Sequence, residues 1–401
     1  MRILFLTKQQ YMGKDLVKDR FGRFYEIPRY LALSGNQVRV VCLKYRSTRD
    51  ENHVAKQNFD GVEWHSFRVG WNWPAVLAYY HRRLKEIADD FAPDVVVGAS
   101  DAMHVIMAAS LAARARVPLA IDLYDNFESY WATQLPGVAK GLKHGINQAA
   151  AVSAVSDDLA AKIRREYGAP GIVRTITNAV CPEIFHPADK ASARRRLGLP
   201  ESGVLIGTAG ALIEERGIKT LYRAFEILSA KKSNLYLVLA GPVKRRLRIP
   251  QGDRVRYMGE LPHVDVGPLF GALDVGVICN RQDEFGSYCF PQKFYEMLAC
   301  RLPVVAANVG VMAKLLVGFD DCLYNPAEPE SLTTAIERQL IKPHLANFAV
   351  PTWQDQGLEF HQLLAEALGL SRLTRASDSF DPHRVACSEP SEAHQTRKVE
   401  C

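Results

Sequence analysis

The stretch VGVICNRQDEFGSYCFPQKFYEMLACRLPVV, residues 275–305, decides the fold. It opens with a short β-branched run, continues through a polar loop and a proline into a helical segment, and closes on a second apolar run, PVV. Two short β-branched runs on either side of one helix predict two parallel strands joined by a crossover helix. Strands joined in this way lie in an α/β sheet that is covered on both faces.

The same alternation continues in both directions from this segment. In the second half of the chain, strands are predicted at 204–209, 235–240, 255–258, 275–278 and 304–306. In the first half, strands are predicted at 2–7, 37–43, 94–98, 118–123 and 151–155. Two such series in succession predict an α/β protein with two Rossmann-like domains that face each other across a cleft, with ligands at the carboxyl ends of the strands.

The domain limits follow from the places where this alternation changes. The segment TITNAVCPEIFHP is typical of a hinge, and we place the first domain at 1–172 and the second at 173–352. A last amphipathic stretch predicts a terminal helix at 353–370. Beyond it the chain is polar and without periodicity, which predicts a disordered tail at 371–401.

Length and composition favour a globular protein of two domains. The chain has 401 residues, of which 48% are apolar and 23% charged. No apolar run approaches the ~20 residues that span a bilayer. The opening MRILFLT is shorter than the apolar part of a signal peptide and runs straight into Lys8 and Gln9. The eight cysteines include no CxxC pair, so they do not indicate a zinc site, and we expect a cytoplasmic protein.

The net charge of +6 lies entirely in the first half of the chain. Residues 1–174 hold 24 Lys and Arg against 18 Asp and Glu, whereas the remainder is balanced. This excess indicates an anionic partner, such as a lipid surface, a phosphorylated acceptor or a nucleic acid, or else a solvated basic surface. The segment WNWPAVLAYYHRRLKEI has the aromatic and basic mixture of an interfacial segment, and it fits a packed surface helix at least as well. We recognise no nucleic-acid-binding module.

Residues 208–228, TAGALIEERGIKTLYRAFEIL, have the pattern of a phosphate-binding turn. A strand ends before Gly210, and Arg216 and Gly217 stand at the start of a helix. The first N–H groups of a helix carry partial positive charge, an arginine there can bind a phosphate through two hydrogen bonds, and glycine permits close approach of the backbone. The alternative is that Arg216 is an ordinary surface charge.

Lys293 and Glu296 stand three residues apart on the helix predicted within 275–305. This spacing places them on one helix face. At the start of a helix that follows a strand, the glutamate can accept hydrogen bonds from the paired hydroxyls of a ribose, and the lysine can neutralise a diphosphate. The alternative is a surface ion pair.

Residues 1–369 resemble the retaining GT-B glycosyltransferases of family 4, the group 1 glycosyltransferases. The resemblance rests on the order and spacing of the segments AVSDDLAAKI, TITNAVCPEIFHP, GALIEERGI, LVLAGP, YMGELP, EFGSYCFPQKFYEMLACRLPVVA and TWQDQGLEFHQLLAEAL. It implies a UDP- or GDP-type sugar donor in the second domain, an acceptor in the first, retention of the anomeric configuration, no cofactor and no obligatory metal. It also implies that the terminal helix packs back across both domains.

Three positions depart from the family pattern. Ala211 stands where many members carry a basic residue, which leaves phosphate binding to the two basic residues named above. Tyr288 stands eight positions before Glu296, in the place of the usual first acid, so that either Tyr288 replaces it or the loop acid Glu284 takes its catalytic role. The alternative is a subgroup with a Pro-x-Lys-x-x-Glu pattern, which Pro291, Lys293 and Glu296 fit. Arg301 occupies the place of a glycine.

The first domain supplies two further groups of candidates. Its first strand runs into a loop that contains Gly13, Lys14, Gly22 and Arg23, and the resemblance implies that this loop approaches the acceptor or the diphosphate. Asp125 follows the fourth predicted strand. There it can orient an acceptor hydroxyl or accept its proton as a general base, or it can cap the next helix.

Together these features predict a hexosyltransferase-type retaining enzyme. It would move a sugar from a nucleotide-diphosphate sugar to a glycan or lipid-linked acceptor, in polysaccharide or glycolipid biosynthesis. The basic first domain allows peripheral contact with the anionic inner face of the membrane. The alternatives are a GT-B nucleotide-sugar epimerase and a non-catalytic binding protein on a degenerate transferase fold. A nicotinamide-dependent enzyme is disfavoured because no GxGxxG follows the first strand.

Overall fold

The computed structural model describes residues 1–45, 54–68, 73–244, 246–345 and 348–370. It describes the backbone alone at 54, 55, 73–77, 284 and 285. The predicted tail at 371–401 and Trp71 of the aromatic and basic segment lie outside the described residues. In the part of the chain that the structure describes, no helix is both long enough and apolar enough to cross a membrane.

The first domain is built on one sheet of eight strands. The first ten strands of the chain are β1 (Arg2–Lys8), β2 (Gln10–Tyr11), β3 (Lys14–Asp15), β4 (Gln37–Lys44), β5 (Val54–Phe59), β6 (Val62–Arg68), β7 (Val95–Ala99), β8 (Leu119–Leu123), β9 (Ala151–Ala154) and β10 (Ile172–Thr175). The sheet has the order β10-β9-β8-β7-β1-β4-β6-β5 and is parallel except for β5, while β2 and β3 form a small hairpin of their own.

The second domain is built on a parallel sheet of six strands. They are β11 (Val204–Ala209), β12 (Leu235–Ala240), β13 (Val255–Tyr257), β14 (Val275–Ile278), β15 (Val304–Ala307) and β16 (Leu323–Tyr324). Their order is β13-β12-β11-β14-β15-β16, so the chain reverses direction across the sheet between β13 and β14. The carboxyl ends of β11 and β14 therefore lie side by side, and the loops that follow them share one edge. The predicted α/β class with two Rossmann-like sheets is confirmed.

Helices connect the strands and cover both sheets. They are α1 (Arg23–Leu33), α2 (Trp73–Phe91), α3 (Ala102–Ala115), α4 (Val138–Gln148), α5 (Asp157–Lys162), α6 (Lys190–Arg196), α7 (Ile218–Lys231), α8 (His263–Ala272), α9 (Glu284–Tyr288), α10 (Gln292–Ala299), α11 (Gly310–Leu315), α12 (Pro329–Ile341) and α13 (Trp353–Ala367). Several begin at side-chain caps that satisfy free N–H groups, such as Asp101 before α3 and the Thr352–Asp355 capping box of α13.

Two features of the first sheet differ from the sequence-based prediction. The β5–β6 hairpin was not predicted, although its turn carries the signal of a two-residue hairpin loop. Asp60 and Gly61 both have positive φ, 52° and 74°, as a type I′ turn requires. In addition, β10 pairs with β9, so the first sheet extends to Thr175 and the predicted domain limit at 172 falls too early.

The chain passes between the two domains at two adjacent places. Val180 and Thr352 form a parallel bridge, and the Val180 amide donates to the carbonyl of Pro351 at 3.1 Å. Helix α13 then packs on α1. Its Phe360 is buried in the apolar core beneath the first sheet, and Gly357 lies so close to Tyr30 that a Cβ there would come within 2.3 Å of the tyrosine Cβ. Helix α13, the last helix in the described part of the chain, therefore completes the first domain.

A fully buried ion pair fixes the start of α1 at the domain junction. The Nε and Nη2 atoms of Arg23 donate to the Asp122 carboxylate at 2.8 and 2.7 Å, and Nη1 donates to the carbonyls of Ile176 and Thr177 at 2.8 and 2.9 Å. Neither charged side chain is exposed to solvent. The prediction that Arg23 belongs to the acceptor or diphosphate loop is therefore wrong, because its guanidinium is committed to β8 and to the hinge.

Replacing Arg23 by methionine tests this structural role. Arg23→Met leaves the Asp122 carboxylate buried without its cation, which costs about 3–5 kcal/mol in comparable sites. We expect a large fall in the melting temperature of the first domain by scanning calorimetry. The control is Arg2→Met, which removes an ion pair to Asp94 whose side chains are 44% and 39% exposed, and which should cost less than about 1 kcal/mol. Equal melting of the two variants would contradict the assignment.

Candidate functional site

The phosphate-binding turn and the second-domain helix meet at the carboxyl edge of the second sheet. Gly210 follows β11 with φ at 110°, and its amide donates to the carbonyl of Ala240 at 3.0 Å. A Cβ on Gly210 would lie 3.2 Å from the Lys293 ammonium nitrogen. The backbone angle favours glycine, and a larger residue would also crowd the Lys293 ammonium. The structure thus brings two of the predicted donor-binding residues together.

Lys293 is a partly buried cation next to a second cation. Burial and the positive charge of Arg216 lower its pKa to about 8. Among the residues whose side chains are described, no carboxylate forms a salt bridge with Lys293. An anion placed between Lys293 and Arg216 would relieve their repulsion, which is the electrostatic condition for a phosphate site.

Arg216 stands at the cleft side of the same turn. It ends a short 3₁₀ helix, Glu214–Arg216, and Gly217, with φ at 78°, leads directly into α7. Its side chain is exposed, and its charge opposes the rise in pKa that burial causes at Asp125 of the first domain. Arg216 also helps to lower the pKa of Lys293, so its charge acts on both walls of the cleft.

Glu296 lies one helical turn after Lys293 and is 8% exposed. Burial raises the pKa of its carboxyl to about 7. The Gln292 amide donates to its Oε1 at 2.8 Å, while the buried Gln292 Oε1 has no partner. Because Glu296 and Lys293 form no salt bridge, the alternative of a surface ion pair is wrong. The arrangement leaves a carboxylate that accepts hydrogen bonds beside an available cation.

The loop after β14 contains the two candidates for the first acid. Glu284 begins α9, and its side chain lies outside the described residues. Tyr288 makes contacts with the first domain: its carbonyl accepts a hydrogen bond from the Ser156 hydroxyl at 3.1 Å, and its ring lies 5.1 Å from the Lys162 ammonium. Tyr288 thus packs across the domain junction.

The other two departures from the family pattern are at Ala211 and Arg301. Ala211 is exposed next to Gly210. Arg301, in the place of a glycine, has φ at 56° directly before the last residues leading into β15. This left-handed conformation is the one that glycine adopts without strain, which explains why a glycine suits the position.

Asp125 lies in the opposite wall of the cleft and is 5% exposed. Its carboxylate accepts hydrogen bonds from the Asn126 amide at 2.8 Å and from the Tyr130 hydroxyl at 2.9 Å. Burial raises its pKa, and these hydrogen bonds with the charges of Arg216 and Lys8 oppose the rise. The next helical turn has Asn126 as its N-cap and no side-chain cap, so Asp125 does not serve as a helix cap.

Three residues that the sequence analysis did not select complete this wall. The Lys8 ammonium donates to the Tyr124 hydroxyl at 2.9 Å, and the Tyr124 and Tyr130 hydroxyls are 2.8 Å apart. Burial lowers the pKa of Lys8, while Asp101 and Asp125 oppose this. A chain of hydrogen bonds therefore runs from Lys8 to Asp125. The available signal was the position of polar residues directly after β1 and β8.

The loop before α1 reaches the donor side of the cleft. Gly13 forms the turn of the β2–β3 hairpin with φ at 85°. A Cβ on Gly22 would lie 2.6 Å from the Tyr11 ring, so glycine is required there. Lys14 and Gly22 line a cavity of about 220 Å³ together with Gln292, the residue that binds Glu296. Lys14 and Gly22 therefore lie near the donor-side residues, unlike Arg23.

Metal ligands form no cluster in this part of the molecule or elsewhere in the described residues. Within those residues, no group of three or more His, Cys, Asp or Glu could hold a metal ion. Charged groups on both walls of the cleft include Arg216, Lys293 and Glu296 on one side and Lys8 and Asp125 on the other.

Comparison with known proteins identifies the family. Residues 23–179 match the model of the glycosyl transferase 4-like domain, and residues 203–342 match the model of the glycosyl transferases group 1. The chain belongs to the GT-B glycosyltransferases. The first match covers the first sheet apart from β1 and the second covers the whole second sheet, so both halves of this glycosyltransferase carry the family pattern.

Curated relatives of this glycosyltransferase are moderately similar. TuaC of Bacillus subtilis, a glycosyltransferase of teichuronic acid biosynthesis, is 28% identical over 253 residues, which are 62% of this chain and 63% of TuaC. D-inositol 3-phosphate glycosyltransferase 2 of Catenulispora acidiphila is 29% identical over 214 residues, 48% of either chain. The match thus spans less than two thirds of the length of each relative.

Solved structures of other glycosyltransferases have the same fold. Sucrose-phosphate synthase of Thermosynechococcus elongatus superposes with a TM-score of 0.66 at 18% identity, covering 92% of this chain and 97% of that one. HepE of Anabaena in complex with UDP superposes with a TM-score of 0.64 at 17% identity over the same shares of each chain. At these identities the likeness establishes the GT-B fold alone.

Proposed function

We propose that this glycosyltransferase moves a hexosyl group from a UDP- or GDP-type nucleotide-sugar to a glycan or lipid-linked acceptor, with retention of the anomeric configuration. The observation that carries the proposal is the pair of neighbouring cations, Arg216 and Lys293, held over Gly210. A nucleoside diphosphate placed between the two cations would offset their mutual repulsion. Glu296, one turn further along α10, is positioned to accept hydrogen bonds from the ribose hydroxyls.

The relatives support the class of reaction and of donor. TuaC is named for teichuronic acid biosynthesis, and the second relative for transfer to D-inositol 3-phosphate. HepE has been solved with UDP and with UDP-glucose. We therefore assign this chain to polysaccharide or glycolipid biosynthesis, with the donor in the second domain and the acceptor in the first. The excess of basic residues in the first half supports a cytoplasmic protein that contacts the inner face of the membrane peripherally.

In the proposed mechanism, charge stabilisation on the donor side drives the reaction. As the bond between the sugar and the nucleotide breaks, negative charge develops on the diphosphate, and Arg216 and Lys293 stabilise it. The acceptor hydroxyl attacks from the face on which the diphosphate leaves, and Asp125 accepts its proton. These steps use side chains of the chain itself, without a cofactor, and independence from metal ions is part of the proposal.

The ionisation of Lys293 gives a test of the donor site. Only the protonated amine attracts a diphosphate, and its pKa in the free protein is about 8. Nucleotide affinity should therefore fall as the pH rises above about 8. Lys293→Met should weaken binding by about 10- to 100-fold at pH 7, as expected for a lost hydrogen bond to a charged group, and should abolish this pH dependence. Isothermal calorimetry with UDP and GDP measures both effects.

Two control variants make this test specific. Lys293→Arg keeps the charge at pH 9 and should flatten the pH dependence, and Lys231→Met, on the exposed far end of α7, should change neither property. Nucleotide binding that is unchanged in Lys293→Met at both pH values would refute the donor site. If the purified protein consumes donor without any acceptor and converts it to another nucleotide-sugar, the epimerase alternative replaces the proposal.

The hydrogen-bond chain gives a test of the acceptor side. An ionised Asp125 carboxylate only accepts hydrogen bonds, so the single Tyr130 proton points to it, and the Tyr124 hydroxyl supplies the bond between the tyrosines. These hydrogen bonds favour the ionised form of Asp125. Tyr130→Phe removes the bond, raises the pKa of Asp125, and should move the acidic limb of the transfer rate to higher pH.

Asp125→Asn should lower the transfer rate about 10²- to 10⁴-fold, the range for loss of a general base. Nucleotide affinity should remain within about twofold in both variants, because the donor site lies in the other domain. The matched control is Tyr79→Phe, a partly exposed tyrosine on α2. Full transfer activity in Asp125→Asn would show that Asp125 takes no part in proton transfer.

A further inference from the structure

The most exposed aromatic side chain in the described part of the chain lies beside the acceptor wall. Trp131 is 75% exposed and Leu135, four residues later, is 47% exposed. Both lie around a short 3₁₀ helix, Trp131–Gln134, that contacts the start of α4. Large apolar side chains exposed together are unusual on a monomer surface and mark a place where another surface docks.

Helix α4 holds this apolar pair against a basic face. Its inner side packs on α3, where Leu142 is buried and a Cβ on Gly145 would lie 2.9 Å from the Val105 side chain. Its outer side exposes Lys140 and Lys143. The helix is therefore a surface helix whose apolar side packs on protein and whose outer side is basic. We call Trp131, Leu135, Lys140 and Lys143 the α4 patch.

The positive charge of the α4 patch is only partly offset by nearby carboxylates. Among the described residues, neither Lys140 nor Lys143 forms a salt bridge; Glu128, whose pKa the charge of Lys143 helps to lower, is paired with Lys162 at 2.8 Å. The patch thus combines an exposed tryptophan and leucine with two exposed lysines. A tryptophan sits at the headgroup level of a bilayer, and lysines beside it attract anionic lipid headgroups.

The position of the α4 patch connects it to the acceptor wall. Trp131 follows directly on Tyr130, whose hydroxyl contacts the Asp125 carboxylate at 2.9 Å. A surface that receives Trp131 therefore comes to lie next to the wall at which an acceptor hydroxyl would meet Asp125. A lipid-linked acceptor held in that surface would have only a short distance to cover.

We propose that the α4 patch docks on an anionic lipid bilayer and so presents a membrane-held acceptor to the cleft beside Asp125. The docking itself follows from exposure and charge, whereas its link to an acceptor rests on the proposed function. The tryptophan and leucine enter the headgroup region, and the two lysines pair with lipid phosphates. Because each basic residue near an anionic surface adds modestly to binding, the affinity should depend on anionic lipid and on salt.

Vesicle flotation of the full chain tests the docking surface. Wild type should float with vesicles of phosphatidylcholine and phosphatidylglycerol and not with phosphatidylcholine alone. Lys140→Met/Lys143→Met should weaken binding roughly 20-fold, as expected for the loss of two basic contacts. Trp131→Ala/Leu135→Ala should weaken it at least as much. The control is Ile341→Ala, a side chain 84% exposed on the second domain, which should float like wild type.

The outcomes separate this inference from the proposed function. Undiminished flotation of both double variants would overturn the docking surface. A wild-type dimer in sedimentation that becomes monomeric in Trp131→Ala/Leu135→Ala would also overturn it, because a second copy of the chain would then cover the patch. Flotation that depends on Trp131 in a protein that binds no nucleotide would leave the docking surface standing and refute the donor site instead.

Discussion

Two positive charges held close together, on Arg216 and Lys293, form the constraint on which the rest of the site depends. Burial removes water from around the Lys293 ammonium, and together with the charge of Arg216 it lowers the pKa of Lys293 to about 8. Gly210, with φ at 110° and no Cβ, leaves room for the Lys293 ammonium beside the turn. An anion between the two cations would relieve their repulsion, and in the proposed function this anion is the diphosphate of the donor, whose ribose hydroxyls would donate hydrogen bonds to Glu296.

The two walls of the cleft hold their positions through buried polar contacts at the domain junction. Arg23 joins the start of α1 to Asp122 at the end of β8 and to the carbonyls of the hinge. On the opposite flank, Tyr288 packs on Lys162 of the first domain. An ion pair without exposure to water tolerates little change in geometry, so it maintains the register between the acceptor wall and the hinge.

Local patterns predicted most of the fold, because its strand–loop–helix units depend on residues near in sequence. Strand runs, Gly210 and the Lys293–Glu296 spacing belong to single strand–loop–helix units, and parallel strands bring those units to one edge. The role of Arg23 was mispredicted because its partner lies 99 residues away. The contact between Lys8 and Tyr124 was not predicted for the same reason, because the two residues are 116 positions apart. The position of a polar residue at the end of a strand indicated where such residues lie. The residues that they contact became evident only from the assembled sheet.

The most direct test of the central claim is thermal stabilisation of the full chain by a panel of nucleotides and nucleotide-sugars, each measured with and without EDTA. A ligand present at about 100 times its dissociation constant adds about 2.7 kcal/mol of stability, which gives a clear upward shift in melting temperature. The account predicts that a uridine or guanosine diphosphate, or its sugar, stabilises the protein equally well in EDTA. If no nucleotide diphosphate shifts the melting temperature, the paired cations serve another anion and the donor site is wrongly assigned.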